Sequence, residues 1–185
     1  MGRIEVYQGP MYASKTDNLI SRVDRAFYAK QPWQAFKPAK DTRHVQIRTH
    51  KGRAIDALSV ERSSDIIKHL KANTALVAID EGQLFDEHLP QVVTTLSKQG
   101  LTVVVAGLPL DWRGIPWPPM PEIMAIAHVV IQLYAVCVMC GADATRSQRL
   151  THNVNRIDIG GEDKYEARCT ECFNPDLVLP TTNPV

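Results

Sequence analysis

The chain has 185 residues, enough for one domain of ordinary size with a small appendage. Its hydrophobic fraction of 44% is typical of soluble globular proteins, and its net charge of +1 argues against a nucleic-acid or membrane surface as the main partner. The longest strongly apolar stretch, residues 101–110, is too short to cross a bilayer, and the N-terminus lacks the apolar core of a signal peptide. We therefore expect a cytoplasmic protein with no nucleic-acid or membrane partner.

Apolar periodicity predicts the elements of the first third of the chain. A short strand at residues 4–7 runs into a glycine-initiated loop at 9–16. Apolar side chains recur at helical spacing over 19–27, so a helix follows the loop. A second strand is expected at 33–36, and the polar, basic stretch at 37–52 is expected to be a loop.

The remaining elements alternate between helix and strand up to a change of composition after Val136. Two continuous apolar runs, residues 75–80 and 101–107, are typical of buried parallel strands. A helix that carries Ile66, Ile67 and Leu70 is expected to be capped by residues 63–65, and a second helix at 89–98 is expected to end at Gly100. The remaining predicted elements are a proline loop at 116–121, a short helix at 122–127 and a strand at 129–136. We expect an α/β domain at 1–136, a small polar lobe at 137–178 and a flexible tail at 179–185.

The loop at residues 9–16 nearly matches the phosphate-binding pattern G-x-x-x-x-G-K-[ST]. Gly9, Lys15 and Thr16 fit, whereas Ser14 replaces the second glycine. In such loops backbone N–H groups at a helix N-terminus bind phosphate oxygens, the lysine neutralises their charge and the hydroxyl holds Mg²⁺. A chance turn before an amphipathic helix is the alternative, and the predicted strand before the loop and helix after it favour phosphate binding.

Two acidic residues, Asp80 and Glu81, directly follow the buried strand at 75–80. An acid at the carboxyl end of such a strand is where phosphate-loop enzymes hold Mg²⁺, and Glu81 would be placed to accept a proton from an attacking hydroxyl. Taken alone, these residues could simply leave the sheet in a turn. Beside a phosphate loop at the same sheet edge, the functional interpretation is favoured.

Four cysteines form two Cys-x-x-Cys pairs, Cys137 with Cys140 and Cys169 with Cys172. Equal spacings of this kind suit a tetrahedral Zn²⁺ with four thiolates, a closed and therefore structural site. Reduced thiols and a redox pair are the alternatives. The long segment between the pairs predicts an extended loop.

Taken together, these features resemble the thymidine kinases of the zinc-containing type II class. The resemblance spans most of the chain. It is carried by GPMYASKT at 9–16, FKPAKDTR at 36–43, IDEGQLFD at 79–86, VVVAGLPLDWRG at 103–114, PMPE at 119–122, CVMC at 137–140, TRSQRL at 145–150 and IGGEDKYEARCTEC at 159–172. It implies a RecA-like parallel sheet flanked by helices with a small C-terminal zinc lobe, and transfer of the γ-phosphoryl group of ATP to the 5′-hydroxyl of thymidine or deoxyuridine with Mg²⁺.

The resemblance also implies roles for individual residues. Glu81 would be the general base, with Asp41 and Arg43 near the reacting phosphates, although a solvated loop pair is an alternative for the latter two. ATP and Mg²⁺ would be bound by Gly9, Pro10, Met11, Tyr12, Ala13, Ser14, Lys15, Thr16 and Asp80. The nucleoside would be bound by Met11, Leu108, Trp112, Ser147, Ile159, Gly160, Gly161 and Tyr165, some of which ordinary core packing would also explain. The loop between the cysteine pairs would close over the base, and the family resemblance implies a homotetramer.

The chain departs from the family pattern at Ser14 and at Trp112, where the family usually has phenylalanine or tyrosine. Ser14 leaves open a second class of function, a nucleotide-binding protein with little catalysis. A zinc-ribbon nucleic-acid module is a third interpretation, and the net charge of +1 argues against it.

Overall fold

The computed structural model describes residues 2–49 and 52–177. In chain order its elements are β1 (Arg3–Gln8), α1 (Lys15–Tyr28), β2 (Trp33–Pro38), β3 (Ile47–Arg48), β4 (Ala54–Ile55), β5 (Leu58–Val60), α2 (Ser63–Lys68), β6 (Leu76–Ile79), α3 (Leu89–Lys98), β7 (Thr102–Gly107), α4 (Met120–Ile126), β8 (Val129–Gln132), β9 (Ala135–Val136), β10 (Asp143–Ala144), β11 (Arg146–Arg149) and β12 (Tyr165–Arg168). A short 3-10 turn at Gly82–Leu84 follows β6.

Six parallel strands form one sheet in the order β5-β2-β6-β7-β1-β8. The strands β6 and β7 are buried on both faces, which explains their continuous apolar sequences. In this order a single strand, β7, separates the strand before the phosphate loop from the strand before Asp80. The loops after β1, β6 and β7 therefore meet at the carboxyl edge of the sheet, and the predicted RecA-like parallel sheet flanked by helices is confirmed.

Alternation along the central strands divides the core into two layers. Val6, Val105 and Ile79 point to the layer that contains α2, α3 and α4, whereas Tyr7 and Val104 point to the layer that contains α1. The two longer helices each bury an apolar stripe, α3 with Leu89, Val92, Val93 and Leu96, and α1 with Leu19, Ile20, Val23 and Ala26. Helices thus cover both faces of the sheet and leave its carboxyl edge open, where the site lies.

Beyond the sheet, two antiparallel hairpins carry the cysteines. One pairs β9 with β10 and the other pairs β11 with β12. A small apolar cluster joins them to the phosphate loop, because Ala13 packs with Ala135, Cys137, Ala144, Ala167 and Cys169. These two hairpins, called the cysteine lobe, and the loop at residues 9–16 are thus in direct contact.

Several predicted boundaries were wrong. Lys37 and Pro38 belong to β2, where pairing with β5 buries Lys37, and the predicted loop after them contains β3, paired with β4. The predicted strand at 129–136 is two strands in different sheets, because β8 pairs with β1 and β9 pairs with β10.

The helix boundaries also differ by a few residues. Arg62, rather than residues 63–65, is the N-cap of α2, where the Asp65 carboxylate accepts a hydrogen bond from the Arg62 backbone N–H at 3.1 Å. The helix ends at Lys68, before Leu70, and α4 spans Met120–Ile126 rather than 122–127. Residue 178 and the predicted tail at 179–185 lie outside the described residues. Within 2–49 and 52–177, none of the helices has the length and apolarity needed to span a membrane.

Candidate active site

The phosphate loop joins β1 to α1 in a conformation with two left-handed residues, Tyr12 at φ 67° and Ser14 at φ 57°. Only glycine fits at position 9, because the Cβ of any other residue would lie 2.4 Å from the Leu133 carbonyl oxygen. The Lys15 ammonium donates to the Pro10 carbonyl at 2.6 Å and is thereby held inside the loop. Burial lowers the pKa of Lys15 to about 8, despite the opposing effects of Glu81 and Asp80.

Thr16 and Asp80 meet although 64 residues separate them in sequence. The Thr16 hydroxyl donates to the Asp80 carboxylate at 3.2 Å. Burial, and then the neighbouring Glu81 charge, raise the pKa of Asp80 to about 7. A hydroxyl and a carboxylate in contact are the hard oxygen donors that Mg²⁺ prefers, so these residues fit the predicted metal position.

Glu81 lies next along the chain in a left-handed conformation at φ 52°, which is unusual for a residue with a side chain and typical of functional sites. One carboxylate oxygen accepts a hydrogen bond from the Arg43 guanidinium, and the other accepts one from the side-chain amide nitrogen of Gln83. Burial raises the pKa of Glu81, but Arg43 and Lys15 lower it by more, so its pKa lies below the ordinary value. Glu81 is therefore an ionised carboxylate enclosed by donors.

Arg43 is held in turn by Asp41, whose carboxylate accepts from the Arg43 Nε at 2.7 Å. The other Asp41 oxygen lies 3.0 Å from the ammonium of Lys37, which is only 2% exposed. Burial raises the pKa of Asp41, but Arg43 and then Lys37 lower it to a net value below the ordinary one. Lys37, Asp41, Arg43 and Glu81 thus form a chain of alternating charges that ends at the carboxylate beside the phosphate loop.

Sequence reasoning missed two members of this arrangement. The sequence predicts a loop at Lys37 and indicates no role for Gln83, which lies in IDEGQLFD. Gln83 is 3% exposed, and its side-chain amide oxygen, Oε1, accepts the Leu108 backbone N–H at 2.8 Å. The available signal for Gln83 was a polar side chain two positions after Glu81. The sequence of β2, WQAFKP, shows no strict alternation, so no comparable signal was available for Lys37.

A cavity of about 470 Å³ opens along the carboxyl edge of the sheet and reaches the cysteine lobe. It is lined at one end by Lys15, Thr16, Asp80, Glu81, Asp41 and Arg43. All eight residues predicted to bind a nucleoside also line it, namely Met11, Leu108, Trp112, Ser147, Ile159, Gly160, Gly161 and Tyr165. Of the predicted nucleotide loop, Gly9, Pro10 and Ala13 do not line the cavity.

Two direct hydrogen bonds between residues that line this cavity join the phosphate loop to the cysteine lobe. The Met11 backbone N–H donates to the Ser147 hydroxyl at 3.0 Å, and the Tyr12 hydroxyl donates to the Tyr165 carbonyl at 3.0 Å. The lobe therefore fixes the far side of the loop as well as one wall of the cavity.

The four cysteine sulfurs converge, with one ligand atom from each within 4.8 Å of the others. Cys140 Sγ lies 3.7 Å from Cys169 Sγ. A tetrahedral site with zinc–sulfur bonds of about 2.3 Å requires sulfurs about 3.8 Å apart, so this spacing fits zinc. A disulfide needs sulfurs at about 2.05 Å, and the cysteines are free.

Comparison with known proteins agrees with this geometry. The family described as thymidine kinase matches residues 2–173. A curated thymidine kinase of Bdellovibrio bacteriovorus strain HD100 is 42% identical over 182 residues, which cover 97% of this chain and 89% of the relative.

Two solved structures are much more distant. The flagellar accessory protein FlaH from Methanocaldococcus jannaschii is 11% identical with a TM-score of 0.48, and the match covers 76% of this chain and 74% of that one. A DNA replication initiation factor is 12% identical with a TM-score of 0.41, and the match covers 71% of this chain and 40% of that one. Similarities at this level carry no functional argument. The match over residues 2–173 and the 42% identical relative, by contrast, show that the chain belongs to the thymidine kinase family.

Proposed function

We propose that the chain is an ATP-dependent thymidine kinase, which transfers the γ-phosphoryl group of ATP to the 5′-hydroxyl of thymidine or deoxyuridine. The observation that carries this proposal is the position of Glu81. Its ionised carboxylate lines the same cavity as the phosphate-loop residues and the pair Leu108 and Trp112. A hydroxyl bound in that cavity would face a base on one side and the phosphate loop on the other.

In this mechanism Glu81 accepts the proton of the 5′-hydroxyl as that oxygen attacks the γ-phosphorus. Arg43 and Gln83 orient the carboxylate by donating to its two oxygens. A positioned general base contributes roughly 10²–10⁴-fold to a rate. The bond between the γ-phosphorus and the β,γ-bridging oxygen breaks, and ADP leaves with that oxygen.

The charges of the loop stabilise the transferred group. Lys15 and Arg43 supply positive charge toward the phosphates, and the N-terminus of α1 supplies backbone N–H groups. Thr16 and Asp80 would hold Mg²⁺, which when bound neutralises phosphate charge. Asp41 acts through Arg43, because it holds the guanidinium in place.

We further propose that Cys137, Cys140, Cys169 and Cys172 bind one structural Zn²⁺. Their converging sulfurs support this assignment. With all four positions filled, the metal would have no site for substrate, so its role is to hold the two hairpins together. In this division, residues 1–136 carry the nucleotide site, and residues 137–178 form the zinc lobe that closes the nucleoside side.

Phosphoryl transfer from Mg-ATP to thymidine, deoxyuridine and deoxycytidine, measured side by side, tests the proposal. We expect formation of thymidine or deoxyuridine 5′-monophosphate, and a loss of about 10²-fold or more in kcat for Glu81→Gln with nucleotide binding retained. Glu87→Gln is the matched control, because Glu87 is exposed and lies outside the cavity. Activity of Glu81→Gln close to that of the unmodified chain would remove Glu81 as the base.

The same assay separates the kinase from a nucleotide-binding protein with little catalysis. Tight ATP binding by zinc-loaded protein, with no turnover of any nucleoside, would favour the binding protein. The left-handed Ser14 is the residue that would then be altered first.

For assembly and location we propose a cytoplasmic homotetramer that needs no nucleic acid. The tetramer is supported by the family resemblance, and the location by four free cysteines, which suit a reducing compartment. Sedimentation equilibrium of the zinc-loaded protein would give the mass. A monomer at micromolar concentration would exclude the tetramer.

A further inference from the structure

The segment between β11 and β12, residues 150–164, forms one wall of the cavity and is called the lid loop here. Ile157, Asp158, Ile159, Gly160 and Gly161 of this loop line the cavity. The loop is fastened to itself near its end, because the Lys164 ammonium donates to the Asp158 carboxylate at 2.6 Å and to the Ile159 carbonyl at 2.9 Å. A separate set of contacts, made by Arg149 and Trp112, holds the rest of the lid loop in place.

Arg149, the last residue of β11, is 2% exposed and directs its guanidinium into the lid loop. One terminal nitrogen donates to the carbonyls of Asn153, at 2.6 Å, and of Asn155. The other donates to the Arg156 carbonyl at 3.3 Å and to the Tyr165 hydroxyl. Its Nε is buried without an acceptor among the described residues. The guanidinium is thus oriented so that its terminal nitrogens bind the lid carbonyls while its Nε makes no hydrogen bond.

Trp112 covers this guanidinium from outside the lobe. The guanidinium carbon of Arg149 lies 4.6 Å from the centre of the Trp112 ring and 5.2 Å from that of Tyr165. The Trp112 indole N–H donates to the Asn155 carbonyl at 3.1 Å. The same carbonyl therefore accepts from both Trp112 and Arg149.

A third contact reinforces the attachment next to Trp112. Asp111, whose side chain is fully buried, accepts from the Nε of Arg156 in the lid loop at 3.0 Å. Asp111 also pairs with Arg113 and accepts two backbone N–H groups, so its position is fixed by the turn after β7. The turn that carries Asp111 and Trp112 is thus a rigid anchor for the lid loop.

From these contacts we infer that Trp112 and Arg149 are positioning residues for the nucleoside, which fasten the lid loop over its end of the cavity. Trp112 would then act through the lid loop and not only as a wall beside the base. A phenylalanine at this position keeps a ring face for Arg149 but has no donor for Asn155. A lysine at position 149 keeps the charge but cannot donate in one plane to several carbonyls.

The experiment uses Trp112→Phe and Arg149→Lys in the zinc-loaded full chain, with Trp33→Phe and Arg22→Lys as matched controls. Trp33 and Arg22 lie outside the cavity, in β2 and α1. Amide hydrogen exchange of residues 151–160 is the first readout, and it requires no substrate. Because one hydrogen bond to the lid loop is lost, we expect exchange about fivefold faster in Trp112→Phe, and faster still in Arg149→Lys, with no change in the controls.

The second readout is the split between kinetic constants, and it rests on the proposed function. We expect the KM for the nucleoside to rise about tenfold in Arg149→Lys, with kcat and the KM for ATP nearly unchanged. Unchanged exchange of the lid loop in both variants would overturn the inference, as would a parallel rise in the KM for ATP, which indicates a general structural defect. If the unmodified chain phosphorylates no nucleoside, the proposed function fails, and the exchange data still decide whether the lid loop is fastened in this way.

Discussion

Replacing Ser14 with glycine tests how the phosphate loop tolerates its departure from the usual pattern. Ser14 is the N-cap of α1 with φ 57° and ψ 30°, in the left-handed region, and it makes no side-chain capping hydrogen bond. A residue with a Cβ pays roughly 1–2 kcal/mol for this conformation, because the Cβ approaches the following carbonyl oxygen. Glycine has no Cβ, so this conformation does not destabilise it.

The net gain is smaller than that cost, because glycine also gives the unfolded chain more freedom. This effect destabilises the folded protein by about 0.4–1 kcal/mol. The difference predicts that Ser14→Gly raises the free energy of unfolding by about 1 kcal/mol or slightly less. For a chain of this size that gain raises Tm by about 2–4 °C. The KM for ATP should stay the same, since the backbone conformation of the loop does not change.

Differential scanning calorimetry of the zinc-loaded chain measures this shift. Lys30→Gly is the matched control, because Lys30 is also left-handed, at φ 55°, and follows the C-cap of α1 away from the cavity. We expect a similar gain there, and no gain for Ser14→Ala, which keeps the Cβ. A loss of stability in Ser14→Gly together with a gain in Lys30→Gly would refute the reasoning, because the Ser14 side chain would then contribute stability of its own.

Three further predictions concern pH and metals. The pKa of Lys15 is about 8, so its charge is lost as pH rises through that value, and kcat/KM for ATP should fall above it; Lys15→Arg stays charged and should lack this fall. The pKa of Asp80 is about 7, so its carboxylate is protonated below that pH, and the Mg²⁺ concentration for half-maximal rate should rise on acidification. A flat Mg²⁺ requirement through that range would contradict this assignment. Elemental analysis should find about one Zn²⁺ per chain, and Cys140→Ser, an exposed ligand position, should lower both zinc content and Tm. A folded, metal-free chain with unchanged Tm would exclude the zinc site.

Local sequence patterns were enough to identify several parts of the candidate site. The order of strand, loop and helix around Lys15 and Thr16 follows from apolar periodicity, and the strand before Asp80 follows from a continuous apolar run. Since carboxyl ends of parallel strands share one edge, the sequence also predicts that the phosphate loop and Asp80 lie at the same edge of the sheet. Equal Cys-x-x-Cys spacings likewise predicted the converging sulfurs.

Other parts depended on where the fold brings distant residues. The sequence shows that Arg149 and Trp112 are present, but their contact requires the turn after β7 to meet the second hairpin of the lobe. The sequence predicts a loop at Lys37, whereas pairing with β5 extends β2 as far as Pro38. Periodicity determines which side chains are buried, because burial depends on the neighbours along one element. Which partner each buried charge meets is decided only when elements far apart in sequence pack together. The series of alternating charges that links Lys37 to Glu81 is therefore determined by the tertiary structure alone.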